Sequence, residues 1–478
     1  MGSKKMHNDY CNETGTADLV LTGGRVHTMD AVGRVAEAVA VSGGRITRVG
    51  AADEVAPLIG PGTRVVALRG RAVLPGINDS HLHGVWLGAM WPALLMDQMT
   101  APEPTAGEGG GADGHHGGGP AVRLEDSADR RRAILRTGEL LSSLGITSYT
   151  EPGLGPGEDD GPTGCFGSAA LRDYADLAAE GRLSARVTAL TLFGELDGAS
   201  TAAGLRRGLM EFRAPGDVPG WFKVAGVKIF ADGIPPMRNA WTDEPYTDGS
   251  HGELLVEGGS EAERERALRS MIDAAHAAGH QIGVHATGSR TTRVVADAFA
   301  AAIARDGRDA RHYVIHGDLL HPATLAVMAS AGIGLNTQAG IAVATGAMLT
   351  AAMGEDVLPY AWPVRDALAA GVPLCLSSDA PVLTPDWRAG LAAAVAHRGL
   401  DPAGRGPDQR LAVSQALRAY TVTPARQDGA EDWKGTVEPG KVADLCVLDA
   451  DPLETEAAAL PSVPVSLTVL DGRVVHEG

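Results

Sequence analysis

Two histidines, His81 and His83, follow a short apolar run and are separated by one leucine. On an extended strand, side chains two residues apart point to the same side, so both imidazoles would face one volume. Neutral imidazoles beside a carboxylate such as Asp79 are common ligands of a divalent metal ion. Histidines at this spacing also occur in ordinary cores and on surfaces. The pair therefore predicts half of a metal site and leaves the structural alternative open.

Four further residues with suitable chemistry share one position, the end of a predicted strand: Lys228, His285, His316 and Asp379. In a parallel barrel the catalytic face lies at the carboxyl ends of the strands. Each has an ordinary alternative, since a terminal lysine is usually solvated, a strand-end histidine bonds to backbone, and an aspartate before Ala-Pro caps a helix or turn. Together with the histidine pair, the four favour a set of ligands that can hold two divalent ions.

Lys228 needs a separate explanation, because a buried ammonium beside metal cations is unfavourable. Burial and neighbouring cations push its amine toward the neutral form. A neutral amine can react with carbon dioxide to give an anionic carbamate, which can bridge two metals. Lys228 is therefore either a bridging ligand or lies outside the coordination shell, and the residues alone do not decide between the two.

The elements that must position these residues are repeated strand and helix units in the centre of the chain. The strand-like runs are 222–230, 281–286, 312–316, 333–336 and 373–378. The helical runs are 129–144, 260–278, 290–305, 322–331 and 361–371. Repeated β/α units imply a parallel sheet. A unit of this length favours an α/β fold with a closed (β/α)8 TIM-type barrel, and a doubly wound sheet is the alternative.

Both ends of the chain are predicted to build one small β-sandwich domain. Residues 17–29 and 38–50 each suggest a strand, a Gly-Gly turn and a second strand. Residues 441–449 and 465–475 suggest a further strand and hairpin.

The expected boundaries follow from these patterns. The sandwich takes residues 17–74 and 436–478, and the metal-dependent catalytic barrel takes 75–435. Residues 101–120 are Gly-rich and of low complexity, which predicts a flexible loop at the mouth of the barrel.

The bulk composition limits the classes of partner. The 478 residues carry a formal net charge of −18, which argues against nucleic acid or an anionic membrane as the main partner. The four cysteines are scattered, and no run approaches the roughly 20 apolar residues of a membrane span, so a cytoplasmic protein is expected. We expect a small-molecule substrate and a homo-oligomer, such as a dimer.

Five motifs, in this order, resemble those of the amidohydrolase superfamily: Pro-Gly-Ile-Asn-Asp-Ser-His-Leu-His, Val-Lys-Ile-Phe-Ala-Asp-Gly, Val-His-Ala-Thr-Gly, Ile-His-Gly-Asp and Leu-Ser-Ser-Asp-Ala-Pro. The chain is most similar to the YtcJ-like, amidohydrolase-3 branch, which includes N-substituted formamide deformylases. The resemblance implies a distorted barrel with a sandwich made from both termini. It also implies metal ligands at His81, His83, Lys228 (N6-carboxylated), His285, His316 and Asp379.

The activity that the resemblance implies is hydrolysis of a non-peptide C–N bond of a small molecule, of amide, N-formyl or N-acyl type, by a metal-bound hydroxide. Two Zn²⁺ ions are the default for such ligands, and Mn²⁺ or Fe²⁺ are alternatives. Asp379 would accept the proton of the attacking hydroxide and deliver it to the leaving nitrogen. Rival readings are a one-metal deaminase or cyclic amide or lactone hydrolase on the same scaffold, and a non-catalytic binding protein.

Residues near strand ends and in the following loops are candidates for contact with the substrate. They are Trp86, Glu151, Arg238, Trp241, Gln338 and Arg365. Either arginine could pair with a substrate carboxylate. A structural role is the alternative for each of the six.

Overall fold

Two separate β-sheets organise the residues that the computed structural model describes, which are 15–100, 122–396 and 406–478. The predicted loop at 101–120 lies outside these residues. The strands are β1 (Leu19–His27), β2 (Val35–Ser42), β3 (Arg45–Gly50), β4 (Arg64–Ala67), β5 (Ala72–Pro75), β6 (Ile77–Asp79), β7 (Ile146–Leu154), β8 (Arg186–Leu192), β9 (Phe222–Phe230), β10 (Gln281–Ala286), β11 (Tyr313–His316), β12 (Gly334–Thr337), β13 (Leu374–Leu376), β14 (Leu445–Leu448), β15 (Val465–Leu470) and β16 (Arg473–Glu477).

The helices connect and cover these strands. They are α1 (Ala52–Val55), α2 (Gly84–Met90), α3 (Leu95–Thr100), α4 (Ser127–Ser143), α5 (Ser168–Ala179), α6 (Ala202–Glu211), α7 (Glu261–Ala277), α8 (Ser289–Asp306), α9 (Pro322–Ala331), α10 (Ala339–Met353), α11 (Val364–Ala370), α12 (Trp387–Ala396), α13 (Val413–Ala419) and α14 (Val422–Gln427). Within the described ranges, none of them combines the length and apolar character needed to cross a bilayer.

The central sheet is a nearly closed parallel barrel, which confirms the predicted fold class. Strands β6 to β13 follow one another in space as they do in sequence, and each ladder is parallel. The two edge strands meet through backbone hydrogen bonds just beyond their carboxyl ends. The N–H of Asp379 donates to the carbonyl of His81 at 2.9 Å, and the N–H of His83 donates to the carbonyl of Ala380 at 2.7 Å. We call this junction of β6 and β13 the seam.

The predicted strands and helices agree closely with the observed ones. The strands predicted at 222–230 and 281–286 coincide with β9 and β10, and the helix at 322–331 coincides with α9. The largest difference is at α11, predicted from 361 and observed from Val364. Pro363 disfavours helical backbone at Trp362, so the helix begins only after the proline.

Side-chain alternation in the barrel strands separates core from interior. On β9, Val227 and Ile229 pack into the large core between sheet and helices, and Lys228 between them faces the barrel interior. Ile282 and Val284 of β10 pack into the same core. Burying such side chains contributes roughly 1.5–3 kcal/mol each, which fixes the face of each strand and therefore where the polar residues point.

The second sheet joins both ends of the chain, as predicted. Its order is β16-β15-β14-β5-β1-β2-β3, with β4 also paired to β1. Alternate residues on strands from both termini share one core, for example Leu21 of β1, Val41 of β2, Val447 of β14 and Val469 of β15. Strands from the N-terminal and C-terminal parts of the chain therefore lie in one continuous sheet and share the core of the small β-domain. The boundaries 17–74 and 436–478 stay a prediction.

The prediction that 17–29 is a hairpin like 38–50 is wrong. Gly43 and Gly44 do form the turn between β2 and β3, whereas Gly23 and Gly24 lie inside the single strand β1, where the register shifts between Thr22 and Val26. Gly23 has a φ of +76°, and a Cβ on Gly24 would lie 2.4 Å from the carbonyl oxygen of Arg71. This bulge lets β1 pair with β4 before it and with β5 after it.

Candidate metal centre

Closure of the barrel at the seam brings His81 and His83 against Asp379. The Oδ1 atom of Asp379 lies 3.2 Å from Nε2 of His81 and 3.5 Å from Nε2 of His83. Asp379 adopts a left-handed backbone with a φ of +57°, which is uncommon for a residue other than glycine. Its N–H bond to the carbonyl of His81 holds this conformation in place. The carboxylate therefore faces both imidazoles.

His285 and His316 approach the same point from the neighbouring strands β10 and β11. Their ring centroids are 4.5 Å apart, and the His316 ring is 5.3 Å from that of His81. One ligand atom each of His81, His316 and Asp379 lies within 4.8 Å of the others. The structure thus collects the candidate ligands of the seam and of the opposite strands in one group.

Hydrogen bonds fix the ring orientation of the second histidine pair. Nε2 of His285 lies 3.1 Å from the carbonyl oxygen of Gly233, and Nδ1 of His316 lies 2.8 Å from Oε1 of Gln338. Because both partners are oxygen acceptors, each of these nitrogens must carry the proton and donate it. The lone pairs then remain on Nδ1 of His285 and Nε2 of His316, the state that a metal ligand requires.

The Gln338 amide is itself held by a chain of hydrogen bonds. Its Nε2 donates to the Ser377 hydroxyl at 2.8 Å, and that hydroxyl donates to Oδ1 of Asn336 at 2.7 Å. Asn336 in turn donates to the carbonyl of Ser80 at 2.8 Å. This series of hydrogen bonds leaves Oε1 of Gln338 facing His316. Gln338, which was predicted to contact substrate, therefore orients a candidate metal ligand.

Glu151, at the end of β7, lies behind His83. Its Oε2 accepts from the N–H groups of Gly84 and Val85 at 2.5 and 3.2 Å and from the Tyr174 hydroxyl at 2.9 Å. Its Oε1 lies 3.6 Å from Nδ1 of His83, and neither atom has a hydrogen-bond partner in the described part of the chain. Glu151 is fully buried and does not line the cavity, so its predicted contact with substrate is not supported.

Lys228 lies among these residues and is only 1% exposed. Its Nζ is 4.4 Å from the centroid of the Phe230 ring, and Phe230 also packs against His285. Burial lowers the pKa of Lys228 to about 8, against the opposing attraction of Asp379. The amine is thereby closer to the neutral form that reacts with carbon dioxide.

Electrostatics favour the protonation states that a cation requires at His81, His285 and Asp379, whereas His83 is protonated in the absence of a cation. Burial lowers the pKa of His81 to about 3 and holds that of His285 well below its ordinary value. Burial opposes ionisation of Asp379, but His81 and His83 hold its pKa well below the usual range. Burial also opposes protonation of His83, yet Asp379 and Glu151 raise its pKa to about 9. A bound divalent cation would replace this proton as the positive charge that balances Asp379 and Glu151. The donor set therefore fits divalent metal ions.

A cavity of about 180 Å³ opens onto these ligands. Its remaining walls are mostly apolar and include Trp86, Met96, Leu196, Phe230, Ile341 and Met348. The ring centroids of Trp86 and His83 are 6.3 Å apart, so Trp86, one of the predicted substrate contacts, lies at the site.

Three sequence-predicted contact residues lie elsewhere. Arg238 is half exposed and pairs with Asp248 at 3.3 Å, and Arg365 is likewise half exposed at the start of α11. Trp241 is fully buried beneath the guanidinium of Arg290. None of the three lines the cavity.

Sequence reasoning missed two carboxylates that line the cavity, Asp197 and Asp318. Asp318 stands two residues after His316 in the motif Ile-His-Gly-Asp, so its position in that motif was a usable signal. Asp197 lies in the loop after β8 with a φ of +48°, and no pattern in the sequence marks it. Asp232 was also missed as an anchor: its carboxylate accepts from the backbone N–H groups of Trp241, Thr287 and Gly288.

Comparison with known proteins identifies the family of the chain. The model of the Amidohydrolase family, Amidohydro_3, matches residues 95–476. The N-substituted formamide deformylase of Arthrobacter pascens is 26% identical over 97% of this chain and 99% of its own length, and YtcJ of Bacillus subtilis (strain 168) is 26% identical over 54% of this chain and 48% of its own. An uncharacterized metal-dependent hydrolase from Pyrococcus horikoshii shares the fold, with a TM-score of 0.69 and 20% identity over 92% of this chain and 99% of that one. The chain therefore belongs to the amidohydrolase family and is a metal-dependent amidohydrolase.

Proposed function

We propose that this amidohydrolase cleaves the C–N bond of an N-substituted amide of a small molecule, of N-formyl or N-acyl type. The observation that carries the proposal is the grouping of His81, His316 and Asp379 within 4.8 Å at the end of an apolar cavity. Similarity to a formamide deformylase over nearly the whole of both chains supports the same bond type.

The ligand roles are part of the proposal. His81 and His83 would hold one divalent ion and His285 and His316 a second, with N6-carboxylated Lys228 between them and Asp379 at the first. Zinc suits this mixture of imidazole and carboxylate donors, with manganese or iron as alternatives. Bound divalent cations supply a water nucleophile at neutral pH and polarise the scissile carbonyl.

Asp379 would carry the proton through the reaction. Burial opposes ionisation of Asp379, but contact with His81 and His83 holds its pKa well below the usual range, and a bound cation would favour the carboxylate in the same way. The carboxylate can therefore accept the proton of the attacking water. The leaving nitrogen becomes more basic as the C–N bond breaks, so the same carboxyl group then gives the proton to it. The distances of 3.2 and 3.5 Å from Oδ1 of Asp379 to Nε2 of His81 and of His83 support this role.

The apolar wall would hold the substituent on the substrate nitrogen and exclude bulk water. Trp86 lines the cavity, and the buried Phe166 packs edge to face against it with ring centroids 5.4 Å apart, which supports this side of the wall.

The one-metal alternative makes no use of a lysine in the site, whereas Lys228 is buried among the candidate ligands. The experiment is therefore metal analysis of the purified protein with and without bicarbonate, joined to a screen of N-formyl and N-acyl amides, cyclic amides and lactones. We expect two metals per chain, a carbamate carbon signal in NMR after growth with 13C-bicarbonate, and release of free amine from linear amides. One metal per chain regardless of bicarbonate, with deamination or ring opening only, would refute the proposal.

A further inference from the structure

Beyond the candidate metal ligands, the described wall of the cavity offers no cationic side chain that could pair with an anionic substituent. Two acidic side chains, Asp197 and Asp318, line it in addition to Asp379. Burial raises the pKa of Asp318 to about 8, so Asp318 is not counted as a charge. Of the described lining residues, Lys228 is the one lysine or arginine. The arginines that the sequence offered as partners for a substrate carboxylate, Arg238 and Arg365, lie outside the lining.

Lys228 is not available as that partner. Its side chain is fully buried, its Nζ lies over the Phe230 ring, and its charge is already attracted by Asp379. If it is carboxylated, as proposed above, it is an anion. A substrate carboxylate that reached the candidate ligands would also occupy the place that the scissile carbonyl needs.

The remaining wall makes an unpaired anion costly. Trp86, Leu196, Ile341 and Met348 offer no hydrogen-bond donor to a carboxylate other than the indole N–H. The hydroxyls of Thr287 and Thr345, which also line the cavity, donate to the backbone carbonyls of Gly233 and Ile341. In such surroundings an ionised group without a partner is strongly disfavoured, and like charges repel at longer range than in water.

On the basis of the proposed function, we propose that the cavity selects amides whose nitrogen substituent is apolar and carries no carboxylate. Asp197 is the specificity-determining residue in this proposal, because its charge repels a carboxylate on the substituent. Asp197 is the better placed of the two extra acids. It is only partly buried, in the loop between β8 and α6, whereas Asp318 is 5% exposed beside the candidate ligand His316.

The test compares three substrates of nearly equal size. N-phenethylformamide is neutral, N-formyl-L-phenylalanine adds a carboxylate, and N-formyl-L-phenylalaninamide replaces that carboxylate by a neutral group of the same shape. We expect kcat/KM for the acid to be about 10- to 100-fold below that for the carboxamide, the range for two like charges about 6–10 Å apart at an effective dielectric constant of about 20.

The matched variants are Asp197→Asn and Glu195→Gln. Both remove one carboxylate from the same loop, but Glu195 is exposed and does not line the cavity. Asp197→Asn is expected to narrow the acid-to-carboxamide difference in kcat/KM about tenfold, and its rate with N-phenethylformamide measures any general loss of activity separately. Glu195→Gln is expected to leave the gap unchanged. An equal gap in wild type and Asp197→Asn overturns the role of Asp197, and equal rates for acid and carboxamide in wild type overturn the selection itself.

Binding measurements separate this inference from the proposed function. Calorimetric titration of zinc-loaded Asp379→Asn protein with the acid and the carboxamide reports selection without turnover. If the carboxamide binds more tightly but wild type hydrolyses none of the three amides, the selection stands and the proposed reaction fails. If all are hydrolysed and bound alike, the reaction stands and the selection fails.

Discussion

Replacing Glu151 by glutamine is expected to weaken metal binding without unfolding the protein. The carboxylate lies behind His83, with Oε1 3.6 Å from Nδ1 of the imidazole, and Oε2 is held by three donors. Glutamine can keep its oxygen toward those donors, but its NH2 group then faces Nδ1. His83 must present a lone pair there, which moves its proton to Nε2, the nitrogen nearest Asp379.

The size of the effect follows from the contact. Loss of a group that orients a metal-bound histidine typically costs about 10- to 100-fold in metal affinity. At 3.6 Å the pair is longer than a charge-assisted hydrogen bond of about 2.7–2.9 Å, so the lower end of that range applies. We expect the zinc dissociation constant to rise about tenfold, which corresponds to about 1.4 kcal/mol.

The assay is zinc competition against a chromophoric chelator, with metal content per chain measured in parallel. Tyr174→Phe is the matched control, because it removes one donor to Oε2 and leaves Oε1 facing His83. That variant should lose about 1 kcal/mol of unfolding free energy and change zinc affinity much less. The reasoning is refuted if Glu151→Gln binds zinc within threefold of wild type, or if Tyr174→Phe weakens zinc equally.

Three further predictions concern the reacting centre, acid stability and the terminal sheet. Asp379→Asn should lower kcat at least about 100-fold, as expected for loss of a general acid–base group, and near-normal turnover in a steady-state amide assay would exclude the proton-transfer role. Burial lowers the pKa of His312 to about 3, below that of the unfolded chain, so protonation opposes folding and stability is lost as pH falls from about 6.5 toward 3. The unfolding free energy, measured by urea titration at several pH values in this range, should therefore fall with decreasing pH less steeply in His312→Gln than in wild type, by up to about 1.4 kcal/mol per pH unit. An equal pH dependence in the two proteins would contradict this assignment. Gly24→Ala would place a Cβ 2.4 Å from the carbonyl oxygen of Arg71 and should cost about 1–3 kcal/mol of unfolding free energy, and an unchanged urea midpoint would disprove the close approach.

Local sequence patterns were sufficient for most of the barrel. His285 is the last residue but one of β10 and His316 is the last of β11, as the sequence predicts for strand-end residues. The alternation of Val227, Lys228 and Ile229 likewise predicts that the lysine lies on the face opposite the two apolar residues. These predictions succeed because burying one face of a strand fixes the other, and this depends only on neighbouring residues. The same alternation does not distinguish a turn from a bulge, which is why Gly23 and Gly24 were misassigned.

What surrounds the candidate ligands was decided by contacts between segments distant in sequence. The seam joins residues near position 80 to residues near 380, and no local pattern states that Asp379 lies 3.2 Å from His81. Glu151 and Gln338 were taken for substrate contacts, but folding places each behind a histidine.

The loops show the same division. From the sequence, Arg238 and Arg365 are as good candidates for the cavity wall as Asp197. The folded structure shows that Asp197 lines the cavity and that the two arginines do not. The sequence alone predicted the barrel and a set of possible metal ligands at its strand ends, because periodicity and residue type are local properties, and the resemblance of its motifs to a family added the type of reaction. The tertiary structure decided the ring orientations, the supporting carboxylate and the charge of the cavity wall, because each depends on which distant side chains burial brings into contact.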